Sequence, residues 1–146
     1  SGKLQAHYGN KREGLTFGVW GLAFKPGTDD MREAPSLVIV RSLIEAGARI
    51  QAHDPVANEL FQRELPEQWF ENGSITLYEH QYDALVDCDA MVLVTEWMPF
   101  RNPDFEQIKA KLKTPVIFDG RNQYEPAQMV AQGIHYSGIG RGIVEE

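Results

Sequence analysis

The sequence predicts an α/β fold: a doubly wound, mostly parallel sheet of about six strands with helices on both faces. Two observations carry this. Short apolar runs of strand length alternate with stretches of helical period from Thr16 onward. Each intervening helix also supplies the crossover that a parallel strand pair requires, and right-handed crossovers wind such a sheet in both directions.

Taken in order, Thr16 to Ala23 (TFGVWGLA) is an apolar run suited to a buried strand. Pro35 to Ala46 places Leu37, Val40 and Ile44 on one helical face, with Pro35 in the first turn and Gly47 just past the end. Arg49 to His53 is the second strand, closed by Asp54-Pro55, and Asn58 to Leu65 is helical with an irregular continuation beyond Pro66. Ser74 to Tyr78 is a third strand, Glu79 to Val86 a short helix, and Ala90 to Thr95 the clearest buried strand. Asp104 to Leu112 carries Phe105, Ile108 and Leu112 on one face. Val116 to Asp119, Pro126 to Gln132 and Ile134 to Ile139 complete the pattern as strand, helix and strand. The strand order expected is that of the dinucleotide fold, 3-2-1-4-5-6, so the domain is Rossmann-like.

At 146 residues, 42% hydrophobic and 24% charged, the composition is that of one globular domain, and no apolar run is long enough to cross a bilayer. Residues 1–14 read as a linker or frayed arm and 15–146 as the domain. The polar start is not a signal peptide, and Ser1 in place of an initiator Met suggests a piece of a longer protein, expected to be cytoplasmic. A net charge of −7 argues against a nucleic-acid partner, although two or three placed cations suffice for a small phosphorylated ligand. The lone Cys88 forms no internal disulfide, and the four scattered histidines offer no zinc spacing, so no metal is expected.

A doubly wound sheet binds ligands beyond the carboxyl ends of its strands, where the order reverses. Three loops are nominated: Phe24 to Glu33 after the first strand, Glu96 to Arg101 after the fourth, and Gly120 to Asn122 after the fifth. Lys25 and Arg121 then share one rim, a point charge and a planar fork suited to diphosphate and ribose oxygens. By position alone each is more often a solvated surface charge. Asp29-Asp30 suits a turn better than a metal pair. Asp54 stands where an acid would bind an adenosine ribose, but the phosphate fingerprint that accompanies it is missing. The first strand reads Gly18-Val-Trp-Gly21-Leu-Ala-Phe-Lys-Pro-Gly27, with the wrong glycine spacing and Lys-Pro where a helix should open. Trp20 and Met91 read as core. Cys88, between Asp87 and Asp89, is a poor nucleophile, because adjacent carboxylates raise a thiol pKa.

The string Gly21-Leu-Ala-Phe-Lys-Pro-Gly-Thr-Asp-Asp-Met-Arg-Glu-Ala-Pro-Ser36 resembles the opening of the C-terminal domain of the UDP-glucose/GDP-mannose dehydrogenases. The similarity continues through Asp54-Pro55, Thr95-Glu96-Trp97, Phe100-Arg101-Asn-Pro-Asp-Phe105, Phe118-Asp-Gly-Arg-Asn122 and Tyr136-Ser-Gly-Ile-Gly-Arg141, so it spans Thr16 to Arg141. Thr-Glu-Trp, Phe-Asp-Gly-Arg-Asn and Ile-Gly-Arg resemble the UDP-glucose branch. The resemblance implies oxidation of UDP-glucose to UDP-glucuronate with two NAD, in a homodimer or larger assembly. It further implies an N-terminal NAD-binding domain and a middle helical region with the catalytic Cys, neither of which is in this sequence. Phe24 and Lys25 match the pair that contacts the nucleotide-sugar, Arg121 the Arg that contacts its UDP portion, and Arg32 an Arg directed at NAD. No catalytic residue is matched, so the chain alone is expected to bind UDP-glucose without turning it over. The alternatives are the same domain of a UDP-N-acetylmannosamine or GDP-mannose dehydrogenase, or a stand-alone nucleotide-binding module.

Overall fold

The computed structural model describes residues 14–32 and 34–138. Six parallel strands form one sheet: β1 (Thr16–Trp20), β2 (Arg49–His53), β3 (Ile75–Leu77), β4 (Ala90–Leu93), β5 (Val116–Asp119) and β6 (His135–Gly138). Their order is β3-β2-β1-β4-β5-β6, the one expected of the dinucleotide fold. Among the described residues six α-helices connect them: α1 (Pro35–Glu45), α2 (Asn58–Arg63), α3 (Glu67–Glu71), α4 (Met98–Arg101), α5 (Phe105–Lys111) and α6 (Pro126–Ala131).

Strand alternation sends successive side chains to two cores. Phe17 and Val19 of β1, Ile50 and Ala52 of β2 and Val92 of β4 join Val40 and Leu43 of α1 and Phe61 of α2 in one. On the other face Trp20, Met91 and Ile117 meet Phe100, Ile108 and Met129 from α4, α5 and α6. Trp20 and Met91 are wholly buried, as read from their apolar runs. Burying a side chain of this size contributes roughly 1.5–3 kcal/mol.

Several boundaries differ from the sequence reading. The first strand ends at Trp20 rather than Ala23, because Gly21 turns the chain at φ +92° and a side-chain carboxylate takes the next two amides. The helix expected over residues 79–86 shrinks to one 3-10 turn, Asp83–Leu85. There the chain is held from outside: the Trp20 indole donates to the Gln81 carbonyl at 2.7 Å, and the Tyr82 hydroxyl accepts from the Asp104 amide at 2.8 Å. The stretch beyond Pro66 forms α3, which turns Trp69 and Phe70 toward the first core. Residues read as open loop after β4 form the single turn of α4, which buries Phe100 in a 4.9 Å stack on Trp20. The α5 helix begins as its sequence suggests, with the Asp104 carboxylate accepting from the Glu106 and Gln107 amides. The expected arm over 1–14, apart from Gly14, lies outside the described residues, as do Glu33 and the end of the last strand at Ile139 with Gly140 and Arg141.

Candidate functional site

The strand order reverses between β1 and β4, and the loops leaving β1, β2, β4 and β5 share the carboxyl edge there. Asp54, which follows β2 and is only 3% exposed, ties three of them together. Its Oδ2 accepts from the amides of Leu22 (2.7 Å) and Ala23 (3.0 Å) and from the Trp97 indole (3.2 Å). Its Oδ1 accepts from the amides of Val56 (2.9 Å) and Ala57 (2.8 Å). Five donors compensate for burying the charge.

The β1 and β4 loops meet directly. The Thr95 hydroxyl donates to the Ala23 carbonyl at 2.6 Å, and the Ser36 hydroxyl at the start of α1 donates to the Leu22 carbonyl at 2.6 Å. A Cβ on Gly21 would lie 2.5 Å from the Thr95 nitrogen, so only glycine admits this approach. Beyond the stitch, Phe24 and Lys25 emerge exposed, Phe24 to 46%. The Phe24 amide donates to the Asp30 carbonyl at 2.7 Å and closes the loop on itself. Among the described residues no hydrogen bond or ion pair engages the Lys25 ammonium, although its charge helps lower the Asp30 pKa.

The β5 loop is built on a second buried carboxylate. Asp119 accepts from the amides of Arg121 (2.9 Å), Gln123 (2.7 Å) and Tyr124 (2.9 Å) and from the Tyr136 hydroxyl (2.7 Å). That turn presents Arg121 to Glu96 of the β4 loop: Nε donates to Oε1 at 2.7 Å and Nη2 to Oε2 at 3.4 Å. Burial pushes the Glu96 carboxyl up, but the Arg121 hydrogen bond, its own amide and the charges of Arg121 and Arg101 outweigh it and hold it below 4.5.

Arg32 is elsewhere. Its guanidinium, 89% exposed, grips Asp30 within its own loop through Nε (3.1 Å) and Nη2 (3.0 Å). The Arg32 side-chain hydrogen bond, followed by its amide, lowers the Asp30 pKa to about 2. The Asp30 amide donates to the Thr28 hydroxyl at 2.9 Å and its carboxylate accepts from the Arg32 amide at 2.9 Å, so Asp30 organises a turn. A concavity of about 490 Å³ opens beside it, but Asp29, Asp30 and Glu64 face it against the single Arg32, a poor seat for an anion.

The first turn of the sheet does not fit the pyrophosphate of a dinucleotide. The amides that would cradle it are spent: Gly21 donates to the His53 carbonyl at 2.9 Å, and Leu22 and Ala23 to Asp54. Asp54, tempting as a ribose-binding acid, is instead a buried internal anion. Its role and that of Glu96 were not readable as site features. The available signals are position, an acid at or just beyond the end of a strand, and membership of the Asp54-Pro55 and Thr95-Glu96-Trp97 motifs. Cys88 is wholly buried, and its thiol is pushed up to about 12, first by burial and then by Asp89 and Asp87. The sign is that expected from its acidic neighbours, with burial the larger cause. Among the described residues no helix is long and apolar enough to cross a membrane.

Sheet order, reversal point and clustered loops define a doubly wound domain of the nucleotide-binding type. The chain belongs to the UDP-glucose/GDP-mannose dehydrogenase family, as its UDP binding domain, matched over residues 18–126. It is 51% identical over 129 residues to UDP-glucose 6-dehydrogenase of Pseudomonas aeruginosa, covering 88% of this chain and 28% of that protein. Among solved structures, a UDP-glucose dehydrogenase from Pyrobaculum islandicum aligns with TM-score 0.71 and 30% identity, over 94% of this chain and 28% of that one. An NDP-N-acetyl-D-galactosaminuronic acid dehydrogenase from Methanosarcina mazei aligns with TM-score 0.74 and 29% identity, over 95% and 27%. The chain thus spans less than a third of the length of these relatives.

Proposed function

We propose that this chain is the UDP-sugar-binding domain of a UDP-glucose 6-dehydrogenase, which oxidises UDP-glucose to UDP-glucuronate with two NAD. The supporting observation is the placement of Phe24, Lys25 and Arg121 on loops of one sheet edge at the strand-order reversal. The 51% identity to an enzyme of that name favours this substrate within the family. In this reading Lys25 supplies a compact positive charge for the diphosphate, Phe24 an apolar face, and Arg121 a planar fork for UDP oxygens. Holding the UDP end fixes the sugar end for chemistry carried by other parts of a longer chain. Positioning of this kind is worth several powers of ten in rate.

NAD is held chiefly by an N-terminal domain outside this sequence, in keeping with the occupied amides of the first turn here. In this reading Arg32, held by Asp30 within the exposed β1 loop, exchanges that partner for NAD bound on the N-terminal domain. A middle helical region carries the catalytic Cys and the dimer contacts of a homodimer or larger cytoplasmic enzyme. This domain alone binds and does not turn over. Titration of the isotope-labelled chain with UDP-glucose, with GDP-mannose and NAD as controls, is the direct test. Amide shifts for UDP-glucose alone, centred on Lys25 and Arg121, are expected. Shifts elsewhere, or equal shifts for GDP-mannose, overturn the site or the choice of base. A Lys25→Ala substitution in the full-length enzyme that leaves the kinetics unchanged removes Lys25 from the site.

A second reading keeps the domain and changes the sugar. The TM-score to the NDP-N-acetyl-D-galactosaminuronic acid dehydrogenase, 0.74, is slightly higher than the 0.71 to the UDP-glucose enzyme. Competition between UDP-glucose and UDP-N-acetylhexosamines in the full-length enzyme separates the two.

A further inference from the structure

We infer that Glu96 is a positioning residue for the nucleotide-sugar site, holding the Arg121 guanidinium in one plane by a two-point contact. The inference rests on the proposed role of Arg121 and adds a residue to it.

Few degrees of freedom are left to Arg121. Its amide is pinned by Asp119 at 2.9 Å, which fixes where the side chain leaves the β5 loop. A long side chain on a fixed Cα still samples many rotamers, and an Arg that is 45% exposed would ordinarily lose that freedom only on binding a ligand. Here Glu96 removes it in advance. The bond at Nε is short, 2.7 Å, and that at Nη2 longer, 3.4 Å, so the fork is gripped along one edge. A guanidinium has five N–H donors, and this contact engages two. The remaining donors lie on Nη1 and the outer side of Nη2, pointing away from Glu96 as a preformed planar set.

Glu96 is itself well placed to act as an anchor. Its neighbour Thr95 is locked to the Ala23 carbonyl, and its other neighbour Trp97 reaches the buried Asp54. The carboxylate is therefore mounted on a loop stitched to the one that carries Phe24 and Lys25. Through it the position of Arg121 in the loop after β5 is referred to the β1 loop, although the two loops are almost a hundred residues apart in sequence. Arg101 also contacts this residue, its Nε donating to the Glu96 backbone carbonyl at 3.4 Å. The pair also has an electrostatic consequence. The Arg121–Glu96 pair together carries little net charge, so the free donors of Arg121 suit oxygen acceptors that need direction, while Lys25 supplies the uncompensated charge.

The test is steady-state kinetics of the full-length enzyme with UDP-glucose and NAD, on Lys25→Ala, Arg121→Ala, Glu96→Ala, Glu96→Gln, Glu96→Asp and the Glu96→Ala/Arg121→Ala double variant. Thermal unfolding of each verifies folding. Glu96→Ala is expected to raise the KM for UDP-glucose by about tenfold, the loss of one charge-assisted contact, with the NAD KM unchanged and kcat within about twofold. Glu96→Gln, which keeps an acceptor, recovers part of the loss, and Glu96→Ala adds nothing in the Arg121→Ala background. If Arg121→Ala raises the KM while Glu96→Ala leaves it unchanged, or if the two effects add fully, the positioning role is overturned and the site stands. A KM that falls in Glu96→Ala also overturns it, because the carboxylate would then compete with ligand for Arg121. If Lys25→Ala and Arg121→Ala both leave the KM unchanged, the site reading itself falls.

Discussion

The Asp54 carboxylate accepts the Leu22 amide at 2.7 Å, the shortest of five hydrogen bonds that this buried anion receives from three segments. An Asn at this position keeps the shape but turns an NH2 group against amide donors. Asp54→Asn is expected to cost about 2–4 kcal/mol, since hydrogen bonds to a charge are lost and a buried donor is left facing donors. Urea denaturation at neutral pH measures this, with the slope unchanged if the loss is in stability alone.

Gly21 and Gly27 both adopt positive φ, +92° and +84°, but differ in surroundings. At Gly27 an added Cβ meets nothing within 4 Å, so Gly27→Ala pays only the left-handed backbone cost of about 1–2 kcal/mol. At Gly21 the same atom falls 2.5 Å from the Thr95 nitrogen and 2.6 Å from its oxygen, backbone atoms that have no room to yield. Gly21→Ala is expected to cost at least about 2 kcal/mol more than Gly27→Ala in the same denaturation experiment. Equal losses would mean that the two loops separate freely.

Protonation of Glu96 breaks its pair with Arg121. Its folded pKa is depressed below 4.5, so the pair contributes stability above that value and loses it as pH falls through the lower folded pKa. Carboxyl-carbon NMR titration should place the Glu96 midpoint below 4.5. In Arg121→Ala burial is no longer opposed by that hydrogen bond, and the midpoint should move upward. A midpoint that ignores Arg121 would mean that the contact is not maintained in solution.

Cys88 should be silent toward thiol reagents in the native protein. Its pKa of about 12 leaves almost no thiolate near pH 8, and the side chain has no exposed surface. A chromogenic disulfide reagent at pH 8 should label it at the unfolding rate, and at once in denaturant. Because the folded pKa is raised, the unfolded chain ionises first, and this residue's contribution to stability declines as pH rises from 9 towards 12.

The sheet was legible from the chain because the physics of strands and crossovers is largely local. An apolar run such as Ala90 to Leu93 declares itself by composition, and a helix such as α1 by the spacing of Leu37, Val40 and Ile44. Parallel pairing and right-handed crossovers then leave few orders, and 3-2-1-4-5-6 is the one formed. The short elements were less legible. The turn at Asp83–Leu85 and helix α4 are too brief to carry a period, and both are set by packing around Trp20.

By itself, then, the sequence determined the layers, the strand order and which loops share the carboxyl edge, since each follows from hydrophobic periodicity and chain connectivity. It also carried the family resemblance through Gly21 to Ser36. Only the tertiary structure decided what the charged residues of that edge do. Asp54 is bonded to amides 31 and 32 residues away, Arg121 to a carboxylate 25 residues away, and Arg32 to Asp30 two residues away. No local period encodes the first two contacts. They arise because parallel strands bring distant carboxyl ends side by side, where a buried charge must find donors and an exposed one is free to wait for a ligand.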